Sequence, residues 1–308
     1  MARKTRGSPV HGWVVLDKPR GITSAQAVAR VRRVFDAAKA GHAGTLDPLA
    51  TGVLPIALGE ATKTVPYLVD GPKAYRFTVR WGEARNTDDA EGAVTAESAV
   101  RPATADVLAA AAEFVGVIRQ TPPRYSAIKV AGRRSYDLAR ENLDVGLAPR
   151  EVRIDGVTLV ATPDTDHATF EVRCGKGTYV RSLARDLAVR LGTVGHVCAL
   201  RRRAVGPFCE QQAISLANLE ALGHIAPHSE YLLPVVTALD DIPALALTEA
   251  QADYLRHGRC VRLVDAVSDR ADNGRATGGL FCAMADGRPV ALARVIGNEV
   301  RPVRVLNM

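Results

Sequence analysis

Apolar positions recur along the chain in two rhythms, and the change from one to the other marks its elements. Gly12-Trp13-Val14-Val15-Leu16 is a short apolar run closed by the turn residues Asp17 to Gly21, which predicts a strand. A helix is predicted next: Val28, Val31 and Phe35 share one face, Thr23 and Gln26 have capping-box spacing, and Arg30, Arg32 and Arg33 point elsewhere. Tyr75, Phe77, Val79 and Trp81 alternate with Arg76, Thr78 and Arg80, the period of a half-buried strand. Thr104 to Val115 is alanine-rich and stopped by Gly116, which predicts a second helix. Alternation returns over Val152 to Val160 and Ala168 to Cys174, around a polar turn containing Pro163, Asp164 and Asp166.

The sharpest change of rhythm is GKGTYVRSLARDLAVRLG. Thr178 is predicted to cap a helix whose apolar stripe is Val180, Leu183, Ala184, Leu187, Ala188 and Leu191. Arg181 lies in its first turn, where the helix macrodipole disfavours a cation, so a carboxylate or phosphate beside it is expected. Gln120 to Arg150 is basic, holds Pro122-Pro123 and has weak periodicity, which predicts an excursion from the core that contacts a ligand. Beyond Pro234 the pattern predicts a small β-rich module: a helix over Thr248 to His257, strands over Leu280 to Met284 and Val290 to Ile296 around an Asp286-Gly287 turn, and a loose loop over Ser268 to Gly279.

Composition narrows the functional classes. The 308 residues are 47% hydrophobic, enough for one large domain and a smaller one. No apolar run reaches membrane-spanning length, and the basic start, Met1 to Pro9, is not followed by an apolar region, so neither a span nor a secretion signal is expected. Five scattered cysteines, never paired as CxxC, suit a reducing cytoplasm. No HExxH spacing or glycine-rich phosphate loop occurs, so no metal and no cofactor is expected. The net charge of +7 points to an anionic partner, nucleic acid first, although an arginine-rich codon usage gives the same balance.

GHAGTLDPLATG, residues 41 to 52, concentrates the candidate chemistry. Asp47 followed by Pro48 reads as a helix start, with Asp as N-cap; the surrounding Gly41, Gly44, Thr45 and Gly52 equally suit a backbone that approaches a ligand. Taken singly, His42 reads as a turn or core histidine, Tyr75 as a strand aromatic, Tyr179 as a packing residue and Leu200 as core. Arg201, Arg202 and Arg203 read as a solvated run, and Lys18 and Lys63 as surface lysines.

Five blocks together resemble the bacterial tRNA pseudouridine-55 synthase family, the TruB type, in its order: DKPRGITS, GHAGTLDPLATGVLPIALGEATK, QTPPRYSAIKVAGRRSYDLAR, CGKGTYVRSLARDL and LRRRAVGPF. They span most of the chain to about residue 210, with Gly175 where the family often has serine and Ala204 where it often has threonine. The resemblance implies an α/β (α+β) catalytic domain with a mixed, mainly antiparallel sheet over 1–234, an RNA-clamping insertion near 120–150, and a small β-rich PUA-like domain over 235–308. It implies stand-alone conversion of one uridine in the TΨC arm of tRNA to pseudouridine, without cofactor or metal, by a cytoplasmic monomer needing no protein partner. Under it Asp47 is the catalytic aspartate, Tyr75 stacks on the target base and Arg181 pairs with the aspartate. His42 helps displace the uridine, Tyr179 and Leu200 line the pocket, and Lys18, Lys63, Arg201 and Arg202 bind substrate. The rival readings are a non-catalytic tRNA-binding or folding chaperone and a guide-RNA-dependent pseudouridine synthase.

Overall fold

In the computed structural model, which describes residues 7–126, 128–130, 132–141, 146–223, 230–262 and 279–308, the first apolar run becomes strand β1 (Gly12–Lys18). After helix α1 (Ser24–Val34), the chain makes β2 (Ala40–His42), β3 (Thr51–Leu58), helix α2 (Val65–Val69) and β4 (Lys73–Trp81). A hairpin of β5 (Glu83–Arg85) and β6 (Val94–Glu97), helix α3 (Thr104–Glu113) and β7 (Gly116–Gln120) follow. The excursion then holds β8 (Lys129–Val130), β9 (Arg133–Arg134) and helix α4 (Ser135–Arg140). The first sheet is completed by β10 (Arg150–Asp164), β11 (His167–Cys174), helix α5 (Val180–Arg190), β12 (Gly195–Val205), β13 (Phe208–Cys209), β14 (Ile214–Ser215) and helix α6 (Leu216–Ala221).

The sheet runs β14-β1-β3-β12-β4-β11-β10-β7, with β2 on β3 and β13 on β12. Only β1/β14 and β3/β12 are parallel among these pairs, so the sheet is mixed and mainly antiparallel as expected. Beyond Thr51, β3 is apolar throughout because both its faces are covered. Leu54, Ile56 and Leu58 join Val31, Tyr75, Phe77 and Leu183 on one face; Val53 and Ala57 join Trp13, Val205 and Phe208 on the other.

Helix α1 has its capping box, with Gln26 N–H donating to Thr23 Oγ1 at 3.2 Å. Helix α5 departs from expectation. Its N-cap is Tyr179, and Thr178 is no cap: it stands one residue outside the cap position, and its hydroxyl donates to the Gly175 carbonyl (3.2 Å) in the turn before. Asp47-Pro48 starts no helix either.

A second sheet, ordered β15-β17-β18-β19-β16, is built from β15 (Ala244–Ala246), β16 (Val261–Arg262), β17 (Leu280–Ala285), β18 (Arg288–Ile296) and β19 (Glu299–Val305). Helix α7 (Glu249–Arg256) covers it, capped by Thr248. Asp286 and Gly287 both have positive φ, 46° and 72°, the geometry that lets a two-residue turn follow the strand twist. The loop expected over Ser268 to Gly279 lies outside the described residues except for Gly279. Val235 and Ala238 still pack with Trp13, whereas Leu239 packs with Cys282 and Leu292, so the cores change over between Ala238 and Leu239.

The parallel seam of β3 and β12 is held by Gly52, whose φ is +99° and whose added Cβ would lie 2.2 Å from the Arg202 carbonyl oxygen. Gly52→Ala is expected to lower stability by about 3 kcal/mol or more, because backbone rather than a movable side chain is the obstacle. An unchanged midpoint in denaturant unfolding would contradict this.

Candidate active site

The loop between β2 and β3 carries Asp47, and its backbone is fixed from both sides. Arg202, on β12 and 1% exposed, donates to the carbonyls of Val53 (2.7 Å), Gly44 (3.0 Å) and Thr45 (3.4 Å). Gly44 has φ +94°, and a Cβ there would lie 3.4 Å from the same guanidinium. From the other side, Leu46 N–H donates to Ser24 Oγ (2.8 Å), and that hydroxyl donates to the Leu46 carbonyl (3.0 Å). The Pro48 carbonyl accepts from Gly21 N–H (2.8 Å) and Lys18 Nζ (3.4 Å). The block DKPRGITS is thus a backbone clamp for the aspartate loop, a role its sequence pattern did not disclose.

The Asp47 side chain, 38% exposed, meets a guanidinium that is 5% exposed: Arg181 Nη2 lies 2.9 Å from Asp47 Oδ2. The anion expected beside Arg181 is therefore a carboxylate. The same guanidinium donates to the carbonyls of Thr87 (2.7 Å) and Tyr125 (2.8 Å) and lies 3.4 Å from Asp89 Oδ2. Asp89 is buried and accepts from Thr87 Oγ1 (2.7 Å) and Glu91 N–H (3.1 Å). It is a second carboxylate on Arg181 that sequence reasoning missed; its only trace is the acidic turn Asp88-Asp89-Ala90-Glu91. Next to it, Asp88 sits at φ +58° and pairs with Arg185 (2.9 Å); burial pushes its carboxyl up, against the pull of Arg185.

Buried and half-buried groups surround the aspartate loop. Burial raises the Tyr75 phenol, with Arg202 opposing. Lys18, fully buried, also donates to the carbonyls of Pro19 and Ile22 at 2.9 Å; burial lowers it to about 8, with Asp47 opposing. Burial and then Arg202 lower His42, which favours a neutral imidazole, and its buried Nδ1 has no hydrogen-bond partner. Tyr179 N–H donates to Gln120 Oε1 (2.8 Å), which ties the start of α5 to the end of β7, and burial raises its phenol. Leu200 packs in one cluster with Tyr75, Leu46 and Val180.

Four of the residues named from sequence lie otherwise than expected. Lys18 is no surface lysine in reach of substrate: it is fully buried and its ammonium is spent on the carbonyls of Pro19, Ile22 and Pro48. Arg202 is a substrate-facing cation no longer: its guanidinium is buried and spent on loop carbonyls. Strand alternation sends Arg201 to the opposite face of the sheet, where it pairs with Asp17 (2.9 and 3.0 Å) and Glu210 (3.3 Å). Lys63 is drawn toward the second sheet, donating to Glu60 Oε2 (2.6 Å) and the Val305 carbonyl (2.8 Å).

Residues 32–180 match the family model described as TruB family pseudouridylate synthase (N terminal domain), and residues 181–242 that of the tRNA pseudouridylate synthase B C-terminal domain. The chain is 56% identical to the tRNA pseudouridine synthase B of Rhodospirillum rubrum over 100% of both proteins. It belongs to the TruB family of pseudouridylate synthases. A second relative, the tRNA pseudouridine synthase B of Bradyrhizobium diazoefficiens, is 57% identical over 97% of this chain and 86% of its own. The fold is shared with a solved Cbf5-Nop10-Gar1 complex (TM-score 0.74, 25% identity, 100% of this chain and 91% of that one).

Ser24→Ala strips the buried Leu46 backbone of both partners and is expected to cost about 2 kcal/mol, measured by denaturant unfolding. A loss below about 0.5 kcal/mol would mean that the clamp does not hold the loop.

Proposed function

We propose that this chain isomerises one uridine in the T arm of tRNA to pseudouridine, with Asp47 as the group that engages the extruded nucleotide. The observation that carries the reading is the pairing of a half-exposed carboxylate with a buried guanidinium that is itself fixed by three further acceptors. Binding RNA requires no such pair; covalent chemistry by a carboxylate is served by one, because a fixed guanidinium holds the carboxylate in place and balances its charge when a base displaces the water around it.

A uracil inside a folded loop cannot present its glycosidic bond to a side chain, so the base must leave the stack, at a cost of a few kcal/mol. Stacking on an aromatic returns about 1–3 kcal/mol, and Tyr75 is the aromatic assigned to it. The neutral His42 ring fits a role in displacing the uridine, with Tyr179 and Leu200 lining the pocket. The reaction breaks the N1–C1′ bond, turns the trapped uracil and forms C5–C1′; the C5 proton is lost and N1 gains one. Atoms and electrons balance without a redox partner, so the reaction itself calls for no cofactor. Asp47 serves whether it attacks the ring or the sugar carbon.

The excursion around 120–150 supports a clamp on RNA, and the sheet over 244–305 a PUA-like RNA-binding module, so that one chain acts alone as a monomer. Five free thiols fit the reducing cytoplasm. No observation favours the chaperone or the guide-dependent reading over this one.

The decisive assay is tritium release from uracil C5 of an unmodified tRNA transcript. Asp47→Ala is expected to bind the transcript with wild-type affinity and release nothing above background; release at the wild-type rate would remove Asp47 as the nucleophile. Asp89→Asn loosens Arg181 while leaving the pair in place, and is expected to slow single-turnover release by about 10²-fold at unchanged affinity. An unaltered rate would show that Arg181 does not need its second carboxylate.

A further inference from the structure

We propose that Glu60 and Lys63 form a latch that fixes the C-terminal sheet against the catalytic sheet, and that Lys63 influences tRNA use through this fixation rather than by touching RNA. The inference rests on the reading of the C-terminal sheet as an RNA-binding module.

The latch is built into GEATK, a 3₁₀ turn over Gly59–Lys63. Three residues per turn put positions 60 and 63 on one edge, and both side chains reach the end of β19. Lys63 Nζ bridges Glu60 Oε2 (2.6 Å) and the Val305 carbonyl (2.8 Å), while Asn307 N–H donates to the same carboxylate oxygen (2.8 Å). Between those two anchors, Leu306 is 3% exposed and packs with Trp13, Ala61 and Val235 in the core of the catalytic sheet. Its N–H donates to the Val290 carbonyl of β18 (2.8 Å), so one residue belongs to both bodies.

The turn itself cannot drift. Gly59 has φ +54° and a Cβ there would lie 2.2 Å from His11 Nδ1, and Glu60 N–H donates to that nitrogen (3.1 Å). Tyr67, on α2 just beyond the turn, packs against the Leu239, Cys282 and Leu292 cluster. A module held this way keeps a fixed distance from Asp47. Two sites on one RNA then act at high effective concentration, which a loosened module loses.

The test compares KM and kcat on a full-length tRNA transcript and on its isolated T-arm stem-loop, for wild type, Glu60→Gln and Lys63→Met, with melting temperatures as the check on folding. Wild type is expected to have the lower KM on the full transcript. Both variants are expected to raise that KM about fivefold or more, and Glu60→Gln to leave the stem-loop KM and kcat within about twofold of wild type. If Lys63→Met raised KM on both substrates while Glu60→Gln lowered it, Lys63 would be a direct phosphate contact and the latch would be overturned. It would equally be overturned if wild type favoured the full transcript and neither variant changed that preference. Equal KM values for wild type on the two substrates would instead remove the RNA-binding reading of the module, and the latch's effect with it.

Discussion

One guanidinium shared between two carboxylates governs the rest of this site. Arg181 is 5% exposed, and a cation taken so far out of water is tolerable only when its donors are answered. Thr87 and Tyr125 answer two of them with carbonyls, Asp89 answers with a buried charge, and Asp47 answers with a charge that still faces solvent. The asymmetry between the two acids is the useful property. Asp89 balances the cation permanently, so Asp47 can change its bonding while Arg181 keeps a counter-ion.

That arrangement depends on joining distant parts of the chain. Asp47 lies on the loop before β3, Arg181 in the first turn of α5, Asp89 in the turn after β5, and Tyr125 in the excursion. The mixed sheet makes the meeting possible, because β3 and β12 run parallel beside each other and bring the aspartate loop under Arg202. Each cation nearby therefore has a different occupation: Arg181 holds charge, Arg202 holds backbone, and Lys18 ties the end of β1 to Pro48.

The strands and helices with strong periodicity were legible because burial follows local pattern: α1, α3, α5, β4, β10 and β11 all lie where their apolar spacing puts them. Arg181 was legible as an oddity, since a cation in a helix's first turn demands an anion. Asp89 was not, because an acidic turn on the page is indistinguishable from a solvated one, and only the fold reveals that it faces inward. Thr178 misled for a related reason: cap propensity is local, but the helix begins one residue later, with Tyr179 at the cap position. The arginine run misled because three adjacent basic residues look alike until strand alternation assigns them to opposite faces. β19 gave little signal, its alternation being interrupted by Pro302.

The fate of those arginines bears on how RNA would perceive this protein. Arg181, Arg202 and Lys18 are buried; Arg30, Arg76, Arg190, Arg201 and Arg203 are tied to Glu220, Glu171, Glu113, Asp17 and Glu210. Much of the basic composition is thus internal wiring and paired surface rather than an open field. The number of counter-ions displaced on complex formation, read from how affinity falls with ionic strength, is then smaller than the 40 lysines and arginines of the sequence suggest, and shape shares the work of recognition.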